Sequence, residues 1–391
     1  MFSAKRKYLE RLTPKFASKV EFGEHVEGAS PPSVFIGKFG YPKVFVGPLL
    51  PPTHGDTTHM DRPEDWLSSQ NHQKPLEVTD VINFRLQLAR GMHAVKINDI
   101  HDNYVGKLRE VALAKKSVEM QVDFTKKPRG SFFNEEVQPF GPSAPMKEMD
   151  FSNAKMQIDL EKAHDDTDLL AANAVNELYE KGVLVSTIQK AFSIGSFGKE
   201  KRRKLVPTRW SITAVDDTIG KYLMNEIKTN EVLDRFLLFE FYGFKNYFGV
   251  LMTPTTWKYE FLEVFLRIFG NEEMFFADHE GFDGRKTYAG MGGCYYSCRL
   301  AVVEKLREMQ KQAGVVVFRE SYTGYIPTGV WLVRESTRQA LLSQPKEFAS
   351  MNEALNYLSG KLMLPMWKYK YKGTLIKQIS AQQPTASKIA A

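Results

Sequence analysis

Cysteine is nearly absent from this chain of 391 residues, which has two, Cys294 and Cys298. Two thiols exclude a disulfide framework and a four-cysteine zinc site, and they suit a reducing compartment. Long apolar runs are missing too. No stretch reaches the roughly 18 uncharged apolar residues of a spanning helix, so no membrane partner is expected. Met1 to Leu12 mixes Lys5, Arg6, Lys7, Glu10 and Arg11 with few apolar residues, and no apolar core follows as in a secretory signal. A cytoplasmic location is the expectation. No internal repeat with a period of roughly 20 to 50 residues is seen.

What is present describes a folded chain. Hydrophobic residues make up 43% and charged residues 25%, which argues against wholesale disorder. Lys and Arg number 53 against 46 Asp and Glu, a formal charge of +7. Clustered, that excess favours phosphate-rich partners, nucleic acid among them. The expected organisation is a basic N-terminal segment at 1–32, a single large domain at 33–380 with a candidate sub-boundary near 126–150, and a disordered tail at 381–391.

Short β-type runs at Val34–Ile36 and Val44–Val46 flank Gly37, Gly40 and Pro42, which predicts a hairpin. There, Gly37, Lys38 and Gly40 offer amides and an ammonium to a phosphate, but the P-loop pattern is missing. His54, His59 and His72 read as loop histidines or loose zinc ligands. A helix through Val81, Phe84, Leu88 and Ala89 ends near Gly91, and Asp99 and Asp102 precede another from about Tyr104. Val118, Met120, Val122 and Phe124 alternate as a strand, as do Met156, Ile158 and Leu160, which pair with it across a proline-rich loop at 126–150. Helices are expected over 168–181 and 184–192, strands over 235–242 and 245–253, and helix or strand over 259–269. Further helices are expected over 290–310, 328–342 and 351–358, with a strand over 315–318. The expected class is α/β, a mixed α+β fold with a largely antiparallel sheet and surrounding helices.

Polar chemistry concentrates in Val206–Asp217. Pro207 biases Val206 toward extended backbone, Ile212 and Val215 are strand-type, and Asp216 is placed to cap a following helix. A strand entering an acid-capped helix would bring Arg209, Trp210, Asp216 and Asp217 to one rim. Just upstream lie Lys199, Lys201, Arg202, Arg203 and Lys204, either a solvated loop or a phosphate-binding run beside a stacking ring. Asp216 and Asp217, with His279 or Glu280, are candidate catalytic groups. Asp216, Asp217 and Glu280 are candidate ligands for Mg²⁺ in metal-assisted phosphodiester cleavage; the alternative is a cap and a surface acid. Gly290, Gly292 and Gly293 open a helix and form an anion site or a tight turn. Cys294 and Cys298 share a helix face, as core thiols or metal ligands. Arg319 is a further phosphate candidate, or one half of a structural ion pair.

Several stretches together resemble the archaeal Nre family of DNA-repair proteins. They are Phe35–Lys43 with Val46–Pro48, Arg209–Asp217, Gly290–Leu300, and Arg319–Glu320 with Gly329–Glu335. The resemblance implies a role in repairing damaged DNA and association with the replication sliding clamp through a C-terminal peptide. Two family features differ here. Met1–Pro32 has no cysteine cluster, and the nearest match to a clamp peptide is Gln344 followed by Glu347 and Phe348. Three functions remain open: direct DNA or nucleotide contact, a nuclease or nucleotide-using transferase, and a noncatalytic adaptor.

Overall fold

A computed structural model describes residues 2–12, 15–16, 18, 20–68, 76–131, 133, 137–152 and 154–382, with backbone alone for 2–6. His72 and the tail from Gln383 lie outside the described residues. The chain forms two compact units. One comprises Leu9–Ile219 with Pro327–Trp331; the other comprises Gly220–Ile326, the residues from Leu332 on, and the first helix, α1 (Phe2–Leu12), as far as Tyr8.

The first unit is built on six strands, β1 (His25–Ser30), β2 (Val34–Ile36), β3 (Lys43–Leu50), β4 (Ala89–Lys96), β5 (Val118–Phe124) and β6 (Ser143–Phe151). Their order is β1-β5-β6-β4-β3-β2, and every pairing is antiparallel except β4 with β6. The helices are α2 (Pro63–Trp66), α3 (Val78–Leu86), α4 (Asn103–Leu113), α5 (Ile158–Asp165), α6 (Ala171–Glu180), α7 (Val185–Ser193) and the start of α8 (Thr208–Ile227). Asp102 starts α4, accepting from the amides of Tyr104 and Val105 at 2.9 and 3.1 Å. Val105, Leu108, Val111 and Ala112 then recur at helical spacing and join Val46, Val95, Met120 and Val122 in one core.

The second unit has a like arrangement. Its strands β8 (Phe236–Gly243), β9 (Asn246–Thr253), β10 (Lys258–Leu266), β11 (Glu273–Glu280), β13 (Gly314–Ser321) and β14 (Lys346–Phe348) run in the order β11-β10-β13-β9-β8-β14. Again one pairing, β10 with β13, is parallel. The two-residue strands β7 (Glu231–Val232) and β12 (Lys311–Gln312) pair separately. Every residue of β9 and β13 is buried, which explains their unbroken apolar runs: strands covered on both faces lose the alternation of half-exposed ones. α9 (Gly293–Glu308) and α10 (Trp331–Leu342) follow within this unit, α10 from Leu332 on. α11 (Met351–Ser359), α12 (Met366–Lys372) and α13 (Leu375–Gln382) close a core on β8, β9, β10 and β13 through Leu355, Leu358, Tyr369, Ile376 and Ile379.

The α+β class and the mostly antiparallel pairing match the expectation from sequence. Several elements differ. Met156–Leu160 is no strand partner of β5: Met156 makes a single bridge to Ala114, and Ile158 begins α5. β5 pairs instead with β6, which lies at the end of the proline-rich stretch. Pro145 sits inside β6, and a proline in an inner strand is uncommon enough to argue against a strand there. β4 replaces the end of the helix expected to reach Gly91, since α3 stops at Leu86. His54 is bonded to Glu119 at 2.7 Å and His59 packs its ring on Phe84, so both belong to structural contacts.

Candidate nucleic-acid interface

The tip between β2 and β3 is held shut by the Gly37 amide donating to Phe45 O at 2.8 Å and the Lys43 amide to Gly40 O at 2.9 Å. Gly40 has φ +85, and a Cβ there would lie 2.7 Å from Lys43 O, so the turn requires glycine. This closure turns Phe39 and Tyr41 outward; Phe39 is 85% exposed. A turn tip ordinarily carries polar residues, so two outward rings between Lys38 and Lys43 call for a partner.

The stretch leading into α8 runs beside that tip. Leu205 N donates to Ile97 O at 2.8 Å, Ile97 N to Pro42 O at 3.0 Å, and Ile36 N to Thr208 Oγ1 at 3.0 Å. The first turn of α8 thereby sets Trp210 edge-on to Tyr41, with ring centroids 5.0 Å apart and planes at 63°. Both rings remain exposed. Lys38 and Lys43 flank Phe39 and Tyr41 along the tip and are exposed, as are Lys204, four residues ahead of α8, and Lys199, Lys201 and Arg202 upstream of it. Lys96 lies directly across the ladder from Lys43. Like charges at facing positions oppose pairing, a cost that an anion between them would relieve. Exposed rings on a tip that also carries exposed lysines suit unpaired bases and their phosphates.

Other candidates in this unit take structural places. Val206–Asp217 is not a strand running into a capped helix. Pro207 O accepts from the amides of Trp210 and Ser211, α8 begins at Thr208, and Ile212, Val215, Ile219 and Leu223 form one buried helical stripe. Asp216 is therefore mid-helix rather than a cap, fully buried, and accepts from Gln189 Nε2 at 2.8 Å. Asp217 and Arg209 are partly exposed on the same helix. Arg203, alone in the basic run, is buried, donating to Gly198 O at 2.7 Å and Asp166 O at 2.8 Å. It fastens the loop that displays its neighbours.

In the second unit, His279 and Glu280 close β11. His279 is exposed, while Glu280 is buried and accepts from Arg299 Nη1 at 2.9 Å. Asp278 pairs with Arg285 and accepts from Gly290 N at 2.7 Å, which pins the loop leading to α9. Gly292 has φ +69 and donates to Ala289 O at 3.0 Å, so it is a turn residue; Gly293 is the buried first residue of α9. Arg319 is a core residue rather than a phosphate ligand. Its guanidinium pairs with Glu263, donates to Asn246 Oδ1 at 2.9 Å, and is surrounded by Phe248, Phe265 and Tyr325. Among the described residues, no three His, Cys, Asp or Glu side chains gather as a metal site.

Cys298 is buried against Thr337 Oγ1 at 3.4 Å, and burial pushes its thiol pKa up to about 11. A thiol so placed carries little thiolate at neutral pH. Alkylation of the native protein with iodoacetamide is expected to modify Cys294 well before Cys298, with both reacting once the chain is unfolded. Peptide mass spectrometry distinguishes the two.

The family description "Archaeal Nre, N-terminal" matches residues 7–268, and "Archaeal Nre, C-terminal" matches residues 280–387. The chain is 39% identical to the DNA repair protein NreB of Archaeoglobus fulgidus, an alignment covering 94% of this chain and 93% of that one. It is 34% identical to NreA of the same organism over 90% of each chain. To NreA of Haloferax volcanii it is 32% identical over 94% of this chain and 90% of the relative. No solved structure matches the chain. None of the described helices is long and apolar enough to cross a membrane.

Proposed function

The chain belongs to the archaeal Nre family, and on that premise we propose that it works in DNA repair by holding DNA directly, at the tip of the β2–β3 hairpin. Unpaired bases stack on Phe39, Tyr41 and Trp210, and phosphates meet Lys38, Lys43, Lys96 and Lys204. The observation that carries this reading is the Tyr41–Trp210 pair, 5.0 Å apart and exposed, on a tip whose Lys38 and Lys43 are exposed as well. Two family stretches far apart in sequence meet there, one supplying each ring. A DNA region with splayed bases, such as a gap or a damaged site, fits this chemistry better than an intact duplex, whose base faces are covered.

The test is fluorescence anisotropy with a labelled single strand over a range of salt concentrations. Tyr41→Ala with Trp210→Ala should weaken binding by about 10-fold or more, since each stacked base contributes roughly 1–3 kcal/mol. Lys199→Ala, Lys201→Ala and Lys204→Ala together should weaken it further and lower the salt slope by about 0.7 for each phosphate that is no longer neutralised. Arg203 is left intact because it holds the loop. Wild-type affinity and slope in both variants would remove this site from the protein's function.

A further inference from the structure

A second face combines aromatic and basic side chains, in the other unit. From Ala354 to Ala391 the sequence has no Asp or Glu and carries Lys361, Lys368, Lys370, Lys372, Lys377 and Lys388. Within it, α12 reads Met-Trp-Lys-Tyr-Lys-Tyr-Lys. Tyr369 points inward and is buried, whereas Trp367 and Tyr371, one turn apart, are 63% and 70% exposed. Met363 beside them is exposed as well. An isolated exposed ring is ordinary, but two large rings sharing one helix face are a contiguous apolar patch.

Two further observations narrow what the patch takes. The first is rigidity. Glu320, buried on β13, accepts from the amides of Met363 and Leu364 at 2.8 Å each and from the Tyr369 hydroxyl at 2.7 Å. Glu260, buried on β10, accepts from the amides of Thr374 and Ile376. The chain on both sides of α12, and Tyr369 within it, is thus bonded to carboxylates of the sheet, which fixes the helix that carries the outward rings. The second is charge. Lys368 Nζ lies 5.8 Å from the Trp367 ring centre, and Lys372 and Lys377 lie 5.9 and 5.7 Å from that of Tyr371. Lys368 also pairs with Glu273, which leaves Lys370, Lys372 and Lys377 as the cations of this face without a carboxylate in the same segment.

From the paired rings and these flanking ammonium groups we infer that α12 is a binding surface for single-stranded nucleic acid. Trp367 and Tyr371, about 6 Å apart along the helix axis, receive two bases, and Lys370, Lys372 and Lys377 meet the phosphates on either side. An apolar protein partner would use the rings without the lysines. An acidic peptide would use the lysines and leave the flat ring faces without a stacking partner.

The experiment uses the full chain and a fluorescein-labelled oligothymidylate. Trp367→Ala with Tyr371→Ala should raise the dissociation constant by about 10-fold or more, while Trp367→Phe with Tyr371→Phe, which keeps both ring faces, should stay within about 3-fold of wild type. Lys370→Glu with Lys372→Glu should weaken binding and flatten its salt dependence. Both rings are exposed, so thermal unfolding of the alanine pair should match wild type. Wild-type oligothymidylate affinity in the alanine pair overturns the inference, whatever the Tyr41 and Trp210 variants do. Each face can therefore fail without the other.

Discussion

Replacing Asp61 by alanine is expected to cost on the order of 3 to 5 kcal/mol of unfolding free energy. Asp61 is buried, pairs with Arg85, lies 3.1 Å from Lys190 Nζ, and accepts from Ser33. Arg85 is itself buried, and the group borders a cavity of about 30 Å³ lined also by Ser186, Gln189 and Ser211. Removing the carboxylate would leave the buried Arg85 guanidinium and the largely buried Lys190 ammonium without this anion, and an uncompensated buried charge costs more than a pair contributes.

The same site sets a pH dependence. Burial opposes the charge on Asp61, but Arg85 and Lys190 outweigh it and hold the carboxyl below its ordinary value. A depressed folded pKa adds stability that is fully present above the unfolded value, near 4, and is lost as pH falls through the folded one. Urea unfolding of the wild type should therefore weaken on acidification below about pH 4, and Asp61→Ala should show a shallower decline. A loss under about 1 kcal/mol at neutral pH would mean that Arg85 and Lys190 find other partners.

Local signals in the sequence marked much of this fold. The β2–β3 hairpin, the Asp102 cap, α9 and the paired strands β8 and β9 follow from turn residues, capping chemistry or periodicity within a few positions. Other elements depended on distant partners. β6 contains Pro145 and is a strand because β4 and β5 flank it. The first two turns of α8 were hidden by β-branched Ile212 and Val215, whose spacing is helical once Ile219 and Leu223 are counted with them.

The candidate interface divides along the same line. Trp210 and the basic run stand out in sequence, as does the turn with Lys38. Phe39 and Tyr41 look like core rings until the hairpin closure turns them outward, and Lys96 joins Lys43 only through strand register. Buried charges were the least legible. Arg203, Asp216, Glu280 and Arg319 are indistinguishable in a sequence from exposed ones, and a partner far along the chain decides each: His164 and Asp166 for Arg203, Gln189 for Asp216, Arg299 for Glu280, Glu263 for Arg319. α12 carried a signal that could have been used, two rings spaced i and i+4 among lysines in a segment without acids.

Glu320→Ala should loosen the whole C-terminal helical segment, at a cost of roughly 3 kcal/mol or more. The carboxylate accepts from Met363 N, Leu364 N and the hydroxyls of Tyr369 and Tyr322. Leu364 and Tyr369 are buried, so no water replaces the missing acceptor, and each orphaned donor costs about 1–3 kcal/mol. Burial and the neighbouring Glu320 charge raise the Tyr369 hydroxyl pKa, so that hydroxyl stays a donor throughout the accessible pH range. Glu320→Gln keeps one acceptor oxygen but turns an N–H toward amides that already donate, so it should recover part of the loss at most. Hydrogen exchange should show α12 and α13 deprotected while β9, at the centre of the sheet, keeps its protection, and trypsin should cut first after Lys361, Lys368 or Lys370. Wild-type protection in α12 would mean that Leu362, Leu364 and Ile376 hold the segment without the carboxylate. If the segment does loosen, oligothymidylate binding through Trp367 and Tyr371 should fall with it although neither ring has changed, because a stacking face binds through the orientation its scaffold gives it.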